Sequence, residues 1–157
     1  MRSAIAMAAV LVVVSSTAAV AEEDTVQAYN ERMVALGVKT RAVIDACETK
    51  RKDGELKSEA AVVECANPDL LESYIDARVL YLDLMQVWLA VKLDTAKKLD
   101  KGELTRAQYD LALADWKLKI AAEEDRRKKA AVDERAGRTP EPHAAACHKL
   151  DGKKYCF

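Results

Sequence analysis

The residues best suited to chemistry lie near the C-terminus, where His143, Cys147, His148 and Cys156 follow one another closely. Imidazole nitrogen and thiolate sulfur are common ligands of zinc and haem iron. The cysteine spacing, however, matches neither the paired C-x-x-C pattern of zinc sites nor the C-x-x-C-H haem attachment motif. We therefore predict no cofactor. A metal or haem carrier that uses His143 and His148 remains the alternative.

The same two cysteines are well placed to bond to each other. Asp151-Gly152 favours a two-residue type I′ turn, and positions equidistant from that turn, including Cys147 and Cys156, then pair across two strands. Counting outward makes this a non-hydrogen-bonded pair, whose side chains approach closely. Because an isolated hairpin is marginally stable, a bridge there would stabilise it. The sequence predicts a disulfide-closed β-hairpin.

The other two cysteines, Cys47 and Cys65, lie at similar distances on either side of Gly54. Four cysteines allow three pairings, but two antiparallel helices joined by a turn at Gly54 would bring this pair face to face. We predict disulfides Cys47–Cys65 and Cys147–Cys156. An exported protein would be in a compartment that permits both disulfides.

The first 21 residues have the features of an export signal. Arg2 is followed by an apolar run over residues 4–14, and Ala19-Val20-Ala21 forms an A-x-A cleavage site. The apolar run is too short to span a bilayer. We expect a periplasmic or secreted protein with no transmembrane segment in its mature chain.

Composition narrows the classes of function. The 157-residue chain has a formal net charge of −1 and 5% aromatic residues. It therefore lacks both the basic field and the stacking surface of a nucleic-acid-binding protein. It also lacks the G-x-S-x-G, H-E-x-x-H and glycine-rich phosphate-binding motifs. We expect a protein that is not an enzyme.

Residues 24–136 are dominated by helix-forming residues. A first helix ending near Gly54 carries a coiled-coil-like seam with spacings of three and four. A short helix follows at 57–66. Asn67-Pro68 favours a new helix over 68–100, because Asn is a good N-cap and Pro suits the first helical position. The residues of the first seam are Val26, Tyr29, Met33, Leu36, Thr40, Val43 and Cys47.

The last helix is predicted to begin at Thr105, with Gln108 completing a capping box. Its apolar seam ends at Ile120. Acidic residues 123–125 then precede basic residues 127–129 by four positions, which favours a charged, solvated helix over 123–136 that could dock a partner. Asp83, within the apolar 68–100 segment, is interpreted as facing solvent.

The predicted fold is all-α: an antiparallel bundle of three long helices and one short helix, with a small C-terminal disulfide-closed β-hairpin. Residues 1–21 form the signal peptide and 22–137 the helical domain. Residues 138–157 form a proline-containing linker and the hairpin tail. Because the 68–100 helix carries apolar residues over a wide arc, it could be covered by its own chain or by a second copy, so a homo-oligomer is possible.

The tail carries the best candidate interaction surface, which comprises Lys149, Lys153, Lys154, Tyr155 and Phe157. A rigid hairpin with basic and aromatic side chains could contact an anionic envelope surface or a protein. The first hypothesis is therefore an exported binding or structural module whose partner is an unknown protein or envelope component.

A second hypothesis comes from Leu104-Thr105-Arg106-Ala107-Gln108, which fits L-T-x-x-Q. This motif resembles the one in helical periplasmic stress chaperones of similar size. The resemblance implies a holdase that binds clients through an apolar helix surface. It covers five residues, which also form the predicted helix cap.

Overall fold

The computed structural model describes residues 26–139, 147–150 and 152–156. The signal peptide predicted over 1–21 lies outside the described residues. None of the described helices has the length and apolar character needed to cross a membrane. The elements are four helices and two strands: α1 (Val26–Lys52), α2 (Glu59–Asp76), α3 (Leu82–Asp100), α4 (Arg106–Arg135), β1 (Cys147–Leu150) and β2 (Lys153–Cys156).

The helices pack in chain order, α1 on α2, α2 on α3 and α3 on α4. Cys47, in the last turns of α1, is bonded to Cys65 in the first half of α2, while Lys39, midway along α1, contacts Asp76 at the end of α2, so the two helices run antiparallel. The mainly helical bundle, with its small two-stranded antiparallel hairpin, confirms the general fold prediction.

The predicted division into a short helix at 57–66 and a long helix over 68–100 is wrong. Helix α2 continues through Pro68, and the break lies at residues 77–81. Asn67 does not cap a helix, because its side-chain amide donates a hydrogen bond to the carbonyl oxygen of Leu89 on α3 at 3.1 Å. The actual break is made by Arg78, whose φ of 51° ends α2 in the left-handed conformation usually supplied by glycine.

At the opposite end of the bundle, two glycines and a helix cap lie where the sequence predicts them. Gly54 and Gly102 both have positive φ, which lets the chain turn after α1 and α3. Thr105 and Gln108 form the predicted capping box. The start of α2 is capped by the Ser58 hydroxyl, which accepts a hydrogen bond from the Ala61 N–H at 3.1 Å. It is also capped from a distance: the Asp100 carboxylate, at the end of α3, accepts hydrogen bonds from the Glu59 and Ala60 N–H groups at 2.9 and 2.8 Å.

Glu59 ties three helices together at this end. Its carboxylate lies 2.8 Å from an Arg51 nitrogen on α1 and 3.1 Å from an Arg106 nitrogen on α4, and it accepts a 3.4 Å hydrogen bond from the Tyr109 hydroxyl. Burial, together with the nearby Glu59 carboxylate, raises the pKa of Tyr109 to about 12. These contacts join the start of α4 to α2, which it does not follow in the chain.

The core consists of three small clusters along the bundle. The first joins α1, α2 and α3, the second joins α2, α3 and α4, and the third joins α3 to the hairpin. A core divided in this way is what sequential packing produces, because each helix buries side chains mainly against its chain neighbours. The buried members are Cys47, Val62, Ala66, Leu70 and Leu89; Val63, Ala96 and Tyr109; and Val87, Val91 and Leu150.

The charged part of α4 is only partly solvated, contrary to expectation. Glu123 is 6% exposed and accepts 2.7 Å hydrogen bonds from Arg126 and Arg127. Arg127 also reaches the exposed Asp83 at the start of α3, at 2.7 Å. These ionic contacts continue the line of α3–α4 contacts beyond Ile120, where the apolar residues stop.

Candidate functional site: the C-terminal hairpin

Both predicted disulfides are present. The strand register pairs Cys147 with Cys156 and Lys149 with Lys154, as expected from a turn at Asp151-Gly152. Cys47 is bonded to Cys65. The described residues therefore contain no free cysteine.

One face of the hairpin docks on the helices. Leu150 is 6% exposed and packs with Val87 and Val91 of α3. Tyr155 is half-buried against the same cluster. His148 lies edge-on to Trp116 of α4, with 4.7 Å between the ring centroids. Of the predicted interaction residues, Tyr155 thus helps to hold the hairpin in place.

The opposite face of the hairpin is basic. Alternation along the strands places the Cys147–Cys156 bridge and the Lys149–Lys154 pair on this face, which we call the lysine face. Lys149, Lys154 and the nearby Lys153 are all exposed, and none forms an ion pair with the rest of the described chain. Like charges directly opposite each other destabilise a strand pair, so this arrangement costs stability.

Two lysines of α4 add positive charge beside the docked hairpin. The Lys117 ammonium lies 5.5 Å from the ring centre of Trp88, and the Lys119 ammonium lies 5.1 Å from that of Trp116. Both indole rings belong to the cluster that receives Leu150. Lys119 is partly neutralised by Asp115 at 2.7 Å. These two lysines therefore lie near the residues on which the hairpin docks.

The tail also bears on the metal and haem alternative. Both of its cysteine sulfurs are used in the disulfide, so neither is available as a thiolate ligand. Within the described parts of the chain, no group of three His, Cys, Asp or Glu residues is arranged to hold a metal ion. His143 and Phe157 lie outside the described residues.

A groove that sequence reasoning missed runs between α2, α3 and β2. Its volume is about 510 Å³, with Lys153 and Tyr155 at its hairpin edge. Asn67 contributes a buried side-chain oxygen that has no hydrogen-bond partner. Pro68 has no N–H for the helical bond to the Glu64 carbonyl. Asn67-Pro68 marks this site in the sequence, but its local preference is for a helix start.

The L-T-x-x-Q residues act as a helix cap. The Thr105 N–H donates to the Gln108 side-chain oxygen at 2.8 Å, and the Gln108 N–H donates to the Thr105 hydroxyl at 3.3 Å. The exposed apolar surface of α4 lies further along the helix, at Leu111 and Leu118, which are 71% and 72% exposed.

Comparisons with known proteins give no relative from which a role could be transferred. No protein-family model matches the chain, and no curated protein or solved structure shows a significant match to it.

Proposed function

We propose that this chain is an exported, non-catalytic binding protein of the cell envelope and that its lysine face binds an anionic lipid surface. Export rests on the sequence features of residues 1–21. The observation that carries the binding proposal is the two-sided hairpin: Leu150 fixes one face on the helices, and the opposite face presents Lys149 and Lys154 side by side.

Charge supports an anionic target. Placing two lysines opposite each other destabilises the hairpin, whereas an anion bound between them would remove that repulsion. The adjacent disulfide keeps the strands paired despite the repulsion, so the charges are held in position before a partner arrives. A preorganised site loses less conformational freedom on binding.

The test is co-sedimentation of the disulfide-intact mature protein with phospholipid vesicles. Vesicles containing anionic phospholipid should bind the protein, and purely zwitterionic vesicles should not. Each lysine near an anionic membrane is worth about 1 kcal/mol, so Lys149→Gln with Lys154→Gln should weaken binding about 30-fold. Higher salt should weaken it further.

The matched control removes two charges elsewhere. Lys50→Gln with Lys52→Gln changes exposed lysines that form no ion pair within the described chain, in the last turn of α1, and should leave vesicle binding near the wild-type level. Equal losses in the two double variants would show that net charge alone is responsible. That result, or wild-type protein that binds neither vesicle, would refute the proposed role of the lysine face.

A second candidate function is a holdase, and it is favoured by the exposed leucines of α4. Leu111 and Leu118 share one face of the helix with Ala114 and Ala121, at alternating spacings of three and four. A chaperone acting through this face should suppress aggregation of a thermally unfolded client at stoichiometric amounts. Leu111→Asp with Leu118→Asp should remove the suppression. If aggregation is unaffected by the wild-type protein, this candidate is wrong.

A further inference from the structure

The outer face of α1 carries a second line of residues, separate from the seam that faces α2. Its members follow spacings of 4, 3, 4, 3 and 4, which is the a/d pattern of a coiled coil. All six are exposed, and the two valines at the centre are 70% and 69% exposed. We call this line the outer stripe of α1: Gln27, Glu31, Val34, Val38, Arg41 and Asp45.

This face has no neighbour within the described chain. Within the described residues, helix α1 packs mainly on α2, and the residues of α1 that pack against the core are Val43, Ile44 and Cys47, on the other side of the helix. The two exposed valines are therefore not part of the bundle core. Large apolar side chains aligned at heptad spacing on a free helix face are typical of a helix–helix contact.

The charges of the outer stripe are unpaired. Arg41 and Asp45 form no ion pair with the rest of the described chain. Glu31 accepts one 2.9 Å hydrogen bond from Gln27, and no cation contacts it. Along the helix the outer stripe begins with Gln27 and Glu31, continues with two valines, and ends with a basic and an acidic residue. When a second copy of this stripe runs in the opposite direction, acidic residues face basic or amide residues and the valines face each other.

We propose that the outer stripe is a dimer interface at which α1 packs antiparallel against α1 of a second copy. In that register Val34 faces Val38 of the second copy, and Glu31 faces Arg41 of the second copy. Gln27 then faces Asp45. Each layer joins an a position to a d position, which is the layering of an antiparallel coiled coil. The contact is isologous, so a two-fold axis generates every favourable pair twice.

Charge selects this orientation over the parallel one. A parallel pair in register would place Glu31 against Glu31, Arg41 against Arg41 and Asp45 against Asp45. Like charges at such positions repel, whereas the antiparallel register makes two Glu31–Arg41 ion pairs beside the valines. The second copy is therefore the occupant that the surface itself specifies.

The contact is limited in size. The stripe spans residues 27–45, about 27 Å of helix at 1.5 Å per residue. Four valines form its apolar centre, which places it among weak interfaces below about 1,200 Å². Association should therefore be measured at high protein concentration, and it should weaken as salt screens the ion pairs.

Sedimentation equilibrium of the mature protein, up to about 1 mM at low salt, tests the proposal. The wild type should show a reversible monomer–dimer equilibrium. Arg41→Glu should weaken dimerisation at least about tenfold, because it places Glu31 opposite a carboxylate. Glu31→Arg combined with Arg41→Glu should restore it, since the swapped pair attracts again. Circular dichroism should show the same helix content in all three proteins.

A matched control uses α4. Leu118→Asp puts a charge on an equally exposed apolar position and should leave the dimer intact, whereas Val34→Asp should abolish it. A monomeric wild type at the highest concentration would overturn the proposal. So would a dimer that ignores the charge reversal, or one that is lost in Leu118→Asp. None of these outcomes depends on vesicle binding by the lysine face.

Discussion

The two outer helices of the bundle are attached in different ways. Helix α1 has 27 residues, all of them described, and Cys47 is its single buried side chain. Helix α4 has 30 residues and buries Tyr109, Ile120 and Glu123 along its length. Both outer helices make ionic contacts at several levels, such as Lys39–Asp76 and Arg51–Glu59 for α1. The difference is that α1 buries a side chain only at its disulfide, whereas α4 buries side chains along its length.

The difference shows what is needed to hold a helix at the edge of a bundle in which the helices pack in chain order. A helix with one neighbour buries little apolar surface, and burial is the main source of its stability. The disulfide of α1 offsets this by restricting the unfolded chain. Helix α4 has no disulfide and is held by its buried Tyr109 and Ile120 and by the Glu123 contacts nearer its end. The Glu59 contacts hold both helices at the same end of the bundle.

The strongest test of this comparison removes the covalent attachment. Cys47→Ala with Cys65→Ala should lower the free energy of unfolding by about 4 kcal/mol, since it deletes a disulfide and the buried Cys47 sulfur. Amide hydrogen exchange should accelerate throughout α1, while α3 and α4 remain protected. Cys147→Ala with Cys156→Ala is the control and should leave exchange in α1 unchanged. Protected α1 amides in the first variant would show that packing alone holds this helix.

A smaller effect is expected when an apolar contact of α4 is removed. Ile120 is 6% exposed, so Ile120→Ala should cost about 3 kcal/mol in chemical denaturation. Because α4 is also held at Glu59 and Glu123, its amides should remain protected at both ends. Exchange that accelerates over the whole of α4 would contradict attachment at several levels.

The smallest effect concerns the ionic contacts of α4. Hydrogen bonds from Arg126 and Arg127 lower the pKa of Glu123 from 4.5 to about 2. A lowered carboxyl pKa contributes stability that is fully present above about pH 4.5 and is lost as the pH falls towards 2. Glu123→Gln should therefore cost about 2 kcal/mol at pH 7. The difference from wild type should shrink steadily between pH 4.5 and 2. A difference that does not vary with pH would exclude this origin.

Local chemistry made part of the fold predictable. The hairpin register and its disulfide follow from Asp151-Gly152, because a two-residue turn fixes which positions pair. Gly54 and the Thr105 cap likewise mark helix ends through backbone geometry and hydrogen bonds that involve only nearby residues. The outward position of Asp83 also agrees with its interpretation, with 57% of its side chain exposed.

The features that sequence reasoning missed depend on distant contacts. Pro68 favours a helix start locally, yet packing of α2 against α3 on both sides of it keeps the helix continuous. Arg78 gives no glycine signal for the break it makes. The burial of Glu123 could not be read from a charge pattern, because the pattern does not say which face meets α3. The groove beside the hairpin was missed for the same reason, since three separate elements form it.

The cap that Asp100 provides for α2 has a consequence for the order of assembly. Two backbone N–H groups at the start of α2 donate hydrogen bonds to the carboxylate of Asp100, which follows about forty residues later in the chain. A nascent polypeptide that stops after Asp76 contains the first disulfide pair but lacks this acceptor. Because the fragment keeps the Ser58 cap of the Ala61 N–H, we expect it to fray only at Glu59 and Ala60 and to order there once the third helix is joined to it.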